Sequence, residues 1–105
     1  MTDHALFPFA ELESGTARQA VVDGLRICVV RIDDDVYAIG DICTHQNISL
    51  AEGEVLTDTK EIECWKHGST FSLVTGEPDS LPATRPVPVF TIRRDGDDLY
   101  VEVPE

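Results

Sequence analysis

The chain has 105 residues, room for one domain, and its 20 acidic against 8 basic side chains leave a net charge of −12 at pH 7. That charge repels phosphate, which excludes nucleic acid as a partner and favours docking to proteins with basic surfaces. At 42% hydrophobic and 27% charged the composition is that of a folded globular domain, while its apolar runs, such as Ile27-Cys28-Val29-Val30, fall far short of the ~18 residues of a membrane span.

The start, Met1-Thr2-Asp3-His4, lacks the basic and apolar regions of a secretory leader, so the chain is expected in the cytoplasm. His4 reads as part of a disordered end with no role. Thr16–Val22 and Leu25–Ile32 read as strands joined by Asp23-Gly24, a two-residue hairpin signal. Asp33-Asp34-Asp35 then turns the chain into a third strand over 36–39, completing a meander. The acidic runs read as solvated turn faces. Cys28, inside the apolar run, reads as an inert core thiol.

Residues 40–82 are loop-rich, with brief strand candidates at 53–56, Glu61–Glu63 and 70–73. Pro82, Pro86 and Pro88 make 78–88 a stiff, extended connection, with Pro88 tolerable only at a strand edge or end. Strands over 87–93 and 99–103 flank a last hairpin at Arg94-Asp95-Gly96-Asp97-Asp98, and Leu99, Val101 and Val103 alternate with Tyr100 and Glu102 in a half-buried pattern. No stretch carries a sustained helical stripe. The expected fold is an all-β antiparallel sandwich forming a single domain over 1–105, with a small subdomain at about 40–82 inserted as loops.

Within that insertion lie Cys43-Thr44-His45-Gln46 and Cys64-Trp65-Lys66-His67-Gly68, a C-x-H and a C-x-x-H pair with 18 residues between His45 and Cys64. Each turn offers one thiolate and one imidazole, and two such turns meeting at their tips would supply two sulfurs and two nitrogens to metal. Two such pairs in one loop region are hard to ascribe to coincidence. A structural zinc site accepts this donor set but usually keeps its cysteines together and its histidines together. A [2Fe–2S] cluster with both cysteines on one iron and both histidines on the other suits mixed turns, because each loop hands one ligand to each iron.

From Asp41 to Val103 the sequence resembles Rieske-type ferredoxins, especially the small soluble ones that serve bacterial non-haem iron oxygenases. The resemblance extends past the ligand pairs to Ser49-Leu50-Ala51-Glu52-Gly53 after the first loop. It also takes in Glu63 through Phe71 around the second, and Thr75-Gly76-Glu77-Pro78 with Leu81-Pro82-Ala83, which is similar to the family's proline loop over the cluster. The 18-residue spacing stands at the long end of the family's range or just past it. The resemblance implies that Cys43 and Cys64 bind the inner iron of one [2Fe–2S] cluster, and His45 and His67 the outer. Where the high-potential branch places two bridging cysteines this chain has Ile48 and Lys66. Ser69 matches a serine that bonds a cluster sulfur, and Phe71 replaces a tyrosine that makes a second such bond.

These replacements imply the low end of the Rieske range of about −150 to +300 mV. Formally, two ferric ions, two sulfides and two thiolates sum to zero with neutral histidines, so an electron is accepted more readily than by an all-cysteine dianion. Proton loss from the histidines implies a potential that is flat near neutrality and falls at alkaline pH. Trp65 reads as a packing lid slightly ahead of a recognition residue, and Lys66 as a solvated cation able to orient a partner.

The implied function is a cytoplasmic, monomeric one-electron carrier. It would pass electrons from a flavin-dependent NAD(P)H ferredoxin reductase to a terminal oxygenase, with no catalytic residues, no nucleic acid and no membrane. The alternatives are an accessory small subunit of a multi-component reductase of the nitrite reductase type and, behind it, a zinc-stabilised interaction module.

Overall fold

The computed structural model describes residues 2–42, 49–65, 69–78 and 86–103. These form ten strands, two short 3-10 turns (Phe9–Glu11 and Leu50–Glu52) and no α-helix: β1 (Thr2–Pro8), β2 (Thr16–Val22), β3 (Leu25–Ile32), β4 (Asp35–Gly40), β5 (Glu54–Leu56), β6 (Glu61–Glu63), β7 (Thr70–Ser72), β8 (Val89–Phe90), β9 (Ile92–Asp95) and β10 (Asp98–Val103). They assemble into three antiparallel sheets ordered β1-β10-β9, β2-β3-β4-β8 and β5-β6-β7. The all-β antiparallel expectation therefore holds. Among the described residues no helix is long and apolar enough to cross a membrane.

The four-stranded sheet is the central layer, and β3 shows why. Its side chains alternate between two buried clusters. Ile27 and Val29 pack with Leu12, Val22, Ala38, Val101 and Val103 against the β1-β10-β9 sheet. Cys28, Val30 and Ile32 pack on the other side with Ile39, Leu50, Ile62, Cys64, Phe71, Leu73 and Val87. A strand covered on both faces reads as an unbroken apolar run rather than an alternating one, which accounts for Ile27 through Val30. The β2–β3 turn has Asp23 at φ 51° and Gly24 at φ 79°, the left-handed pair that matches the twist of a tight hairpin.

Two expectations are corrected. The single strand over 87–93 is two: Val89 and Phe90 pair with Ile39 and Ala38 of the central sheet, and from Ile92 the chain pairs with β10 of the outer one. Thr91 is the crossing point, its carbonyl accepting from the Glu102 amide at 2.8 Å. The amino-terminal segment is not disordered. It forms β1, where His4 lies opposite Val101 and its Nε2 stands 3.4 Å from Asp23 Oδ2. Burial of strand edges by long-range pairing leaves no local sequence signal, and Asp3 to Arg93 at 2.7 Å adds a further contact between β1 and β9.

Candidate metal centre

Three loops leave the sheets in the stretch that holds the predicted ligands, and each is closed at its base. The first runs from the end of β4 to the Leu50–Glu52 turn. Ile42 and Ser49 form an antiparallel bridge across it, and the Leu50 amide donates to the Asp41 carbonyl. The Asp41 side chain tightens the same neck, accepting from Ser49 Oγ at 2.6 Å, from the Ala51 amide at 2.9 Å and from Gln19 Nε2.

The second loop is the tip of the β6–β7 hairpin. Glu63 pairs with Thr70, and the Cys64 amide donates to the Ser69 carbonyl at 2.7 Å. Cys64 and Ser69 are both fully buried. The third loop starts at the Phe71–Pro78 bridge and returns at Val87, whose amide donates to the Gly76 carbonyl at 2.8 Å. Gly76 stands at φ 77°, and a Cβ there would sit 2.1 Å from the Val87 carbonyl oxygen. Only glycine permits that closure.

The necks converge. Leu50 beside the first loop, Cys64 and Phe71 flanking the second, and Val87 ending the third all belong to one buried cluster. Of the four predicted ligands, Cys64 is placed there, while Cys43, His45 and His67 lie outside the described residues, as do Ile48, Lys66 and Leu81-Pro82-Ala83 of the proline loop. Among the described residues no group of three or more His, Cys, Asp or Glu side chains is placed to hold a metal. The donor chemistry nonetheless fits an iron–sulfur cluster: Cys64 brings a soft sulfur to the closed end of the β6–β7 hairpin, in the core that the two other loop necks share.

Cys28 shares that core, but burial pushes its thiol pKa upward, with the Asp41 carboxylate adding to the rise. It is a protonated packing residue, as its place in an apolar run implied. Trp65, next to Cys64, differs from the expected packing lid: the residue is 54% exposed. Asp41 was missed. No role was assigned to it from the sequence, yet it is fully buried. The only local hint was its position two residues ahead of Cys43.

The chain matches the Rieske [2Fe-2S] domain family over residues 3–91. It is 34% identical over 98 residues to the 3-phenylpropionate/cinnamic acid dioxygenase ferredoxin subunit of Escherichia coli K12, covering 93% of this chain and 91% of that one. The fold superposes on the ferredoxin of carbazole 1,9a-dioxygenase from Nocardioides aromaticivorans IC177 with a TM-score of 0.93 at 34% identity, over 96% of this chain and 97% of that one. A chain from the complex of reduced oxygenase and oxidized ferredoxin in carbazole 1,9a-dioxygenase gives a TM-score of 0.87, also at 34% identity, over 94% of this chain and 91% of that one. With the family matched across most of its length and its three loop necks gathered around a buried cysteine, this chain belongs to the Rieske [2Fe-2S] domain family.

Proposed function

We propose that the protein is a Rieske ferredoxin, a one-electron carrier that takes an electron from a flavin-dependent NAD(P)H reductase and delivers it to a terminal non-haem iron oxygenase. The observation that carries this reading is the convergence of three closed loops on one core around Cys64. Cys43 and Cys64 would hold one iron of a single [2Fe–2S] cluster, and His45 and His67 the other. When bound, the cluster supplies a site that gains or loses one electron without bond rearrangement.

The chain's own residues do the rest. Leu50, Ile62, Phe71, Leu73 and Val87 exclude water from the cysteine side, and the paired backbone at each neck resists movement as charge changes. The half-exposed Trp65, next to Cys64, would supply an apolar contact for the partner. Similarity to a dioxygenase ferredoxin subunit, and to a chain from a complex of reduced oxygenase and oxidized ferredoxin, supports the choice of acceptor. The single domain over 1–105, its cluster-binding part at about 40–82, a monomeric state and a cytoplasmic location belong to the same reading. The presence of all four Cys and His residues in the sequence weighs against the accessory-subunit alternative, whose members of the nitrite reductase type include chains that lack them.

The test is anaerobic purification followed by metal and sulfide analysis and EPR after dithionite. Two irons, two sulfides and a rhombic reduced signal with average g below that of an all-cysteine cluster are expected. Bound zinc in a colourless protein, or a reduced signal of the all-cysteine type, would overturn the reading.

A further inference from the structure

Asp41 is fully buried, yet it is a carboxylate in a core that would accept an apolar side chain. Three donors converge on its two oxygens: Gln19 Nε2 and Ser49 Oγ on Oδ2, and the Ala51 amide on Oδ1. Its backbone is held as firmly, the amide donating to the Arg26 carbonyl at 3.1 Å and the carbonyl accepting from Leu50. One residue thereby joins β2 through Gln19, β3 through Arg26, the end of β4 and the 49–51 segment.

A buried, hydrogen-bonded charge of this kind contributes no more stability than a well-packed apolar residue of similar volume. What it adds is geometry, because three directional bonds leave the carboxylate and its partners a single arrangement. The neck so fixed is the one that Asp41, Ile42 and Ser49 form on either side of residues 43–48. We infer that Asp41 is a positioning residue for the cluster: by locking the neck of the first loop to the central sheet through Gln19 and Ser49, it sets where Cys43 and His45 present their donor atoms. Gln19 is exposed on its strand, so this lock reaches from the surface to the core.

The inference rests on the ligand assignment proposed above for Cys43 and His45, and its test is arranged so that the two fail separately. Asp41→Asn keeps the shape. Its carbonyl still accepts from Ala51, and its amide donates to Ser49 and, once the Gln19 amide is turned round, to Gln19 as well. Asp41→Ala removes all three bonds, Ser49→Ala removes one, and Val101→Ala destabilises the far core without touching the loop. Each holoprotein is compared for iron loss to a chelator, reduced-state EPR line shape and potential.

Asp41→Ala is expected to lose iron about 10-fold faster, with a broadened EPR spectrum and a shifted potential. Ser49→Ala should fall between it and the native protein. Asp41→Asn should restore the native line shape and rate. Val101→Ala should melt lower with an unchanged spectrum. If Asp41→Ala cannot be purified folded, Ser49→Ala carries the test: a native spectrum and native iron-loss rate there overturn the inference. So does a native spectrum in Asp41→Ala, or a Val101→Ala effect equal to it. If the unsubstituted protein shows no mixed cysteine–histidine signal, the ligand assignment fails instead, and the inference with it.

Discussion

A Cβ atom on Gly53 would lie 1.7 Å from the carbonyl oxygen of Glu63. Gly53 ends the turn after the first loop, its amide donating to Leu50 at 3.0 Å, and Glu63 directly precedes Cys64. The two loops are therefore set against each other by backbone on backbone, where neither side can rotate away. Overpacking typically costs about 1–3 kcal/mol, and here relief requires parting the necks. Gly53→Ala should lower both the urea midpoint and the iron content of the purified protein. Gly24→Ala is the contrast: a Cβ there meets nothing within 4 Å, and only the left-handed φ of 79° is strained. It should cost about 1–2 kcal/mol and leave iron content unchanged.

Exchange of a histidine for a cysteine tests which residues hold the outer iron. His45→Cys or His67→Cys adds a thiolate, makes the cluster one unit more negative and opposes reduction. Iron should be retained while the potential falls toward the roughly −400 mV of all-cysteine ferredoxins. Spectroelectrochemical titration measures it, and an unchanged potential with full iron would remove that histidine from the ligand set.

Much of this was legible from local pattern. The β2–β3 hairpin was expected with its observed bounds because Asp23-Gly24 announces its turn, and β5, β6 and β7 were placed to within a residue. The ligand pairs stood out because Cys and His rarely fall together without chemical cause. What escaped depends on pairing across the whole chain. Nothing near His4 says that β10, nearly a hundred residues on, will take β1 as its neighbour. The change of sheet at Thr91 follows from which strands have free edges, which no short window encodes. Asp41 escaped because a buried carboxylate has the same local sequence as a solvated one. Only Gln19 and Ser49, distant along the chain, distinguish the two.

Among the described residues beside Cys64, Trp65 is the most open to contact, with 54% of its surface exposed and no place in the buried clusters. Tryptophans in this position anchor interfaces out of proportion to their number. Trp65→Ala should change unfolding free energy by no more than about 0.5 kcal/mol and leave the potential unaltered. The second-order rate of reoxidation by the oxygenase it serves should fall by about 10-fold. Stopped-flow absorbance of the reduced cluster reads this directly, and a native rate would place the docking surface elsewhere.

Cys28 makes alkaline stability depend on a single buried thiol. Its pKa is raised in the folded state above the ordinary 9.0, first by burial and then by Asp41. Below the ordinary value the thiol is protonated in both folded and unfolded chains, and its packing contribution is intact. Above it, the unfolded chain loses a proton that the folded chain keeps, so unfolding is favoured as pH rises. The loss from this group should approach about 1.4 kcal/mol per pH unit beyond pH 9. Urea midpoints between pH 8 and 10 should therefore decline more steeply in the native chain than in Cys28→Ala. That variant starts lower, because of the cavity it leaves among Val30, Ile39 and Leu50, but it lacks the titrating group. Parallel curves for the two proteins would mean that the thiol ionises in place, and that the core around Cys28 admits water.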